Sequence, residues 1–203
     1  MIIQLLLTDY FKNRSQYVKI GNITSIICQV LLGVPQGSVL GPLLFLLFIN
    51  DLPYFLKMFF TILFADDTTL SQNSDNYDNL MKKFYDSIGY LTKWCSFNKV
   101  DINWKKSEIM FITNKQNITI PEFINISGNT VKVVTEFKLL GIIIDNKLNF
   151  KSNTAKIKRS INIRLYSIQK LLQLPLALKI QFLKTFILPY FDYCATLCIY
   201  YPK

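Results

Sequence analysis

The chain has 203 residues, 51% of them hydrophobic, and a formal net charge of +10 at pH 7. That suits one domain or one and a half, with ample apolar material for a core. It contains no histidine, which excludes Ser-His-Asp chemistry, Cys-His nucleophiles and His-ligated metals. Carboxylate, lysine, hydroxyl and thiol remain as the catalytic vocabulary, and carboxylate plus divalent cation is the strongest chemistry among them. The longest apolar run, Val39 to Ile49, is about half of the ~20 residues a membrane span needs, and it contains Gly41 and Pro42. No membrane partner is expected. Met1 to Leu7 lacks the basic flank and cleavage site of a signal peptide. Cys28, Cys95, Cys194 and Cys198 show no CxxC spacing and read as reduced, buried small hydrophobes of an intracellular protein. Cys194 and Cys198 would share a helix face, but without histidine they make a poor zinc site.

Charge divides the chain. Residues 1–146 are nearly neutral, whereas residues 147–203 carry ten Lys/Arg against Asp192 alone, a net +9. A basic segment of this kind fits nucleic-acid binding. A lysine-rich solvated face fits it equally well, because Lys outnumbers Arg 20 to 3.

In chain order, the turn Gly33-Val34-Pro35-Gln36-Gly37-Ser38 comes first. Its glycines allow a tight bend and a close approach of backbone to a ligand. It opens the run Ser38 to Asn50, which predicts a buried helix with Pro42 in the first turn. Free amides at such a helix start favour anions, although a plain helix-entry turn would look the same. Next, Met58-Phe59-Phe60-Thr61-Ile62-Leu63 predicts a buried strand running into Phe64-Ala65-Asp66-Asp67, with Thr68 to Ser71 as the returning arm of a hairpin. Asp66 and Asp67 would place two hard oxygen ligands at the edge of a core, which suits Mg²⁺. An Asp pair also suits an ordinary surface turn. Ser71 to Asn79 and Thr113 to Asn117 read as loops or loop edges. Tyr77 to Lys99 has the 3.6-residue apolar period of an amphipathic helix. Glu108 to Thr113, Thr130 to Val134 and Phe137 to Asp145 read as strands, the last with Gly141 inside it. Ala155 to Gln173 and Leu176 to Leu188 read as helices separated by Pro175. The order predicts an α+β fold.

These residues add up to a family pattern. Gly33 to Phe45, then Ile49-Asn50-Asp51-Leu52-Pro53, then Phe64-Ala65-Asp66-Asp67-Thr68 closely resembles the reverse transcriptases of non-LTR, LINE-type retrotransposons. The stretches Tyr10 to Val18, Ile102 to Phe111, Phe137 to Asp145 and Leu188 to Tyr193 extend the resemblance in order over essentially the whole chain. It fits better than the related intron-encoded maturases and telomerases.

The resemblance implies a partial polymerase palm in residues 1–146, an antiparallel sheet with packed helices. A basic helical thumb or connection segment follows in residues 147–203. Asp66 would be a catalytic metal-binding carboxylate and Asp67 its less central neighbour, with Mg²⁺ or Mn²⁺ as cofactor and two ions in a complete site. Pro35, Gln36 and Gly37 would lie near the templating base and the incoming nucleotide. Lys106 would stand near the triphosphate as a proton donor to pyrophosphate, or be a solvated lysine beside Lys105. Leu140 and Gly141 would support the primer end. The basic helices after Lys147, with Lys156, Lys158 and Arg159, would track duplex phosphates without reading sequence. The partners implied are an RNA template, a DNA primer and deoxynucleoside triphosphates, and the location implied is nuclear. The family's third carboxylate belongs to a strand upstream of the Tyr10 to Val18 block, and Asp9 lacks its Phe-Asp flanks. The expectation is therefore a chain inactive on its own and poorly soluble, with an exposed sheet edge. The competing expectation is a non-catalytic nucleic-acid-binding remnant.

Overall fold

In a computed structural model describing residues 2–115, 117–169 and 173–200, helices and strands are mixed along the chain in an α+β arrangement. Packing divides it into two compact units, Met1–Asp101 and Ile102–Lys203. Compactness thus marks a different place from the change in charge at 146/147.

The first unit begins with α1 (Ile2–Phe11) and an antiparallel arm. In the arm, β1 (Ser15–Gln16) pairs with β4 (Cys28–Gln29), and β2 (Lys19–Ile20) pairs with β3 (Ile23–Thr24) inside it. Ser25 stitches the two pairs together: its amide donates to the Val18 carbonyl and its hydroxyl accepts the Val18 amide. Ile20, Ile23 and Ile26 are exposed on this arm.

Next comes α2 (Gly41–Ile49), with Pro42 in its first turn. The expected helix forms, but not the expected burial. Only Gly41 and Ile49 are buried, while Leu43, Leu46, Leu47 and Phe48 are exposed. The helix is apolar all round, so covering one side leaves the rest in water.

The core of this unit lies where α3 (Leu52–Phe55) packs on α4 (Tyr77–Asn98). Ser87, Ile88, Leu91, Trp94 and Cys95 form the buried stripe of α4, at the spacing an amphipathic helix requires. Asn76 Oδ1 accepts the Asp78 amide at 2.9 Å and caps the helix start. Trp94 is 2% exposed, and its indole N–H donates to Asp51 Oδ1 at 3.0 Å. Burial pushes the Cys95 thiol above its ordinary pKa, with Asp101 adding to the shift. The expectation of buried cysteines fails elsewhere, because Cys28 and Cys194 are exposed. The side chain of Cys198 lies outside the described residues. Between the helices, β5 (Phe60–Phe64) and β6 (Asp67–Ser71) form an antiparallel hairpin.

In the second unit, β7 (Glu108–Ile109) is shorter than expected. It lies parallel to β9 (Asn129–Val133), which pairs antiparallel with β8 (Phe123–Ile126). Ile124, Ile126 and Val131 form its packed face, following the two-residue period of a strand. Phe137 to Asp145 is two strands, not one. β10 (Glu136–Leu139) and β11 (Ile142–Asp145) are joined by the two-residue turn Leu140-Gly141. Packed on β11 is α5 (Lys151–Gln169), followed by α6 (Leu176–Phe186), α7 (Pro189–Asp192) and a 3₁₀ segment, Ala195–Tyr200. The expected end of the first tail helix, Gln173, falls beyond the three undescribed residues 170–172.

α5 starts four residues earlier than its apolar pattern suggests, and Asp145 gives the reason. This carboxylate is 7% exposed and accepts the amides of Lys147, Asn149 and Phe150 at 3.0, 3.2 and 2.6 Å. Asn149 Oδ1 then accepts the Lys151 amide. Together they build the bend that launches the helix. Burial pushes the Asp145 carboxyl up, but the Asn149, Phe150 and Lys147 amides outweigh it and hold the group below its ordinary value.

Two measurements check these anchors. Asp51→Ala leaves a buried indole N–H without its acceptor and should lower unfolding stability by about 1–3 kcal/mol in urea titrations followed by tryptophan fluorescence. Asp145 stabilises the native state fully above its unfolded pKa of about 3.9, and that stabilisation is lost as pH falls from there through the depressed native value. The stability gap between wild type and Asp145→Asn should therefore be wide at pH 7 and narrow at pH 3.

Candidate active site

The β5–β6 ladder runs from Phe60↔Ser71 to Phe64↔Asp67. Ala65 and Asp66 form its two-residue connection, with Ala65 at φ +50 in the left-handed region. Asp66 therefore sits in the turn and Asp67 opens the returning strand. Both carboxylates are exposed. The strand is not buried as expected. Thr61 and Leu63 are partly covered, whereas Phe60, Ile62 and Phe64 are 69%, 45% and 60% exposed. Among the described residues no further strand pairs with either edge of the hairpin.

Two adjacent carboxylates open to water fit one hard cation that fills its shell with water and phosphate. They do not enclose two. Among the described residues no three His, Cys, Asp or Glu side chains gather into a metal-binding group.

The Pro35–Ser38 turn is closed by the Ser38 amide donating to the Pro35 carbonyl at 3.3 Å, with Gly37 at φ +78. A side chain at Gly37 would be strained there. Ser38 has two roles in this turn. Its hydroxyl oxygen accepts the Gly41 amide at 3.1 Å, which helps start α2, and it accepts the Tyr10 hydroxyl at 2.8 Å. Tyr10 thereby ties α1 to the turn. The signal for Ser38 was a helix-start serine just ahead of an apolar run. Nothing local pointed to Tyr10, which is 28 residues away.

Lys106 belongs to the second unit and is exposed, its amide donating to Asn103. Leu140 and Gly141 have φ +46 and +94. The Leu140 carbonyl accepts the Tyr193 hydroxyl, and the Gly141 carbonyl accepts Lys156 Nζ at 2.7 Å. Lys158 and Arg159 are exposed on α5. At 100° per residue, Lys156, Ser160 and Arg164 form one stripe, while Lys151 and Lys158 form another on the far side. A cavity of about 300 Å³ lies beside the Leu140-Gly141 turn, lined by α5 and by Pro189, Tyr190 and Tyr193.

The family described as Reverse transcriptase (RNA-dependent DNA polymerase) matches residues 3–144, well over half of the chain. The chain belongs to the reverse transcriptase family. The match contains the Asp66-Asp67 hairpin, the Pro35–Ser38 turn, Lys106 and the Leu140-Gly141 turn, and stops short of α5. Curated relatives of this reverse transcriptase segment come from insects. It is 29% identical over 165 residues to a probable RNA-directed DNA polymerase from transposon X-element of Drosophila melanogaster, covering 78% of this chain and 18% of that protein. It is 28% identical over 173 residues to a probable RNA-directed DNA polymerase from transposon BS of the same species, covering 82% and 19%. It is 24% identical over 196 residues to the RNA-directed DNA polymerase from mobile element jockey of Drosophila melanogaster, covering 91% and 21%. The chain thus spans about a fifth of the length of these relatives. No solved structure matches it. Among the described residues no helix is long and apolar enough to cross a membrane.

Two glycines should respond oppositely to alanine. A Cβ on Gly41 would stand 2.9 Å from Ser38 Oγ and 3.5 Å from Val34 Cγ2, so Gly41→Ala should displace Ser38 and lower stability despite alanine's helix preference. Gly89 lies inside α4 with nothing within 4 Å of its Cβ position, so Gly89→Ala should add about 0.5–1 kcal/mol. Thermal unfolding of the two variants reads the signs.

Proposed function

We propose that this chain is the nucleotidyl-transfer segment of an RNA-directed DNA polymerase of the non-LTR retrotransposon kind. The observation that carries the reading is Asp66-Asp67, exposed at the tip of a two-stranded hairpin inside the family match. Residues 1–146 form part of a palm, and residues 147–203 a basic thumb segment. An RNA template, a DNA primer and deoxynucleoside triphosphates are the substrates. A nuclear location belongs to the same proposal.

Asp66, with Asp67 beside it, would hold Mg²⁺ or Mn²⁺. An ion held there would supply activation of the primer 3′-hydroxyl and charge stabilisation of the leaving pyrophosphate. The second ion of a complete site needs a further carboxylate from another segment, because adjacent aspartates on one turn offer ligands from one side only. Gln36 and Gly37 present a backbone bend to the templating base and nucleotide. Lys106, as a cation, is suited to the triphosphate and to giving a proton to pyrophosphate. The face of α5 bearing Lys151 and Lys158 follows duplex phosphates. The net +9 of residues 147–203 also supports a second reading, a nucleic-acid-binding remnant without catalysis.

The test is Mn²⁺ titration of the chain followed by electron paramagnetic resonance, with primer extension on an RNA template run beside it. Weak Mn²⁺ binding should occur and disappear in Asp66→Ala, with no extension by the chain alone. Undiminished Mn²⁺ binding by the Asp66→Ala/Asp67→Ala double variant would sink the assignment and favour the remnant. Extension by the chain alone that vanishes in Asp66→Ala would show that two carboxylates suffice.

A further inference from the structure

We infer that Tyr193 and Lys156 are positioning residues that lock the Leu140-Gly141 turn into the shape it presents to a primer strand. The role of the turn rests on the polymerase reading; the lock itself stands on geometry. Leu140 at φ +46 is in a left-handed conformation that is unfavourable for a non-glycine residue and persists where its surroundings fix it. The turn residues lie outside the β10–β11 ladder, which closes at Leu139↔Ile142. Their carbonyls find partners in the tail instead. The Tyr193 hydroxyl donates to the Leu140 carbonyl, 53 residues away in sequence, and Lys156 Nζ donates to the Gly141 carbonyl at 2.7 Å.

The clamp is built, not incidental. The Tyr193 ring stands 3.8 Å from the position a Cβ on Gly141 would take, so the ring lies close beside the turn. Next to Tyr193 on the same segment, Tyr190 lies under the Arg164 guanidinium at 4.7 Å, which fastens α7 to α5. Lys156 and Arg164 occupy the same stripe of α5, one holding the turn and the other holding the segment that delivers Tyr193. A lysine read as a phosphate contact thus spends at least one of its three donors on protein backbone. The consequence is a link from tail to hairpin: whatever shifts α7 against α5 changes the shape of the turn.

The test uses the full chain with ¹³C labelling of backbone carbonyls, in wild type, Tyr193→Phe, Lys156→Met and the control Lys184→Met. The Leu140 carbonyl resonance should move upfield in Tyr193→Phe, and that of Gly141 in Lys156→Met, with neither moving in the control. Unmoved carbonyls overturn the lock. A second arm places a fluorescent base at the 3′ end of the primer or inside the duplex of an RNA–DNA hybrid. Tyr193→Phe should alter the 3′-end signal alone, at unchanged affinity for the hybrid. A 3′-end signal identical to wild type overturns the positioning role. Failure of wild type to bind the hybrid at all sinks the polymerase reading instead, and the carbonyl arm still decides the lock.

Discussion

The register of one short hairpin is the constraint on which the rest depends. Phe64 pairs with Asp67, so Ala65 and Asp66 must turn the chain, and both carboxylates emerge together at the tip. Because side chains alternate with a period of two, a slip of one residue would send Thr61 and Leu63 to water and break the pairing that isolates Asp66 in the turn. The apolar strand behind the aspartates is therefore part of the site. It sets where along the ladder the two carboxylates stand.

Large apolar side chains also stand open on the surface of the first unit. One face of β5, most of α2 and the β1–β4 arm carry large apolar side chains in water. Exposed apolar patches are, in proteins generally, the places where other macromolecules dock. The second unit uses a different economy. A buried carboxylate, Asp145, collects backbone amides to launch α5, and α5 in turn supports the hairpin that ends in Leu140-Gly141. Polar anchors there do what apolar packing does around Trp94.

Much of this was legible in the sequence, where the signal was local. The 3.6-residue stripe of Tyr77 to Lys99 gives α4 to within a residue, because the stripe is carried by the helix's own residues. The Asp66-Asp67 hairpin and the Pro35–Ser38 turn were readable because turn chemistry is carried by a few adjacent residues. Burial was not legible. Phe60 and Ile62 look like core by composition, but exposure depends on what packs against a strand, which no local pattern states. Leu140 hid a turn, since a leucine at φ +46 breaks the usual preference and only partners elsewhere in the chain sustain it. Tyr10, Asp51, Asp145 and Tyr193 were missed as anchors, their partners being set by tertiary structure or by an unremarkable loop.

The proposed function stands on Asp66 and Asp67 forming a divalent-cation centre. Metal-directed cleavage measures this directly: Fe²⁺ substituted for Mg²⁺, with ascorbate and peroxide, cuts the backbone beside the bound ion. Cuts should be confined to the region around Ala65 to Thr68, suppressed by excess Mg²⁺ and absent in Asp66→Ala. Cuts elsewhere in the chain that Mg²⁺ suppresses, or cuts at the hairpin that survive Asp66→Ala, would contradict it.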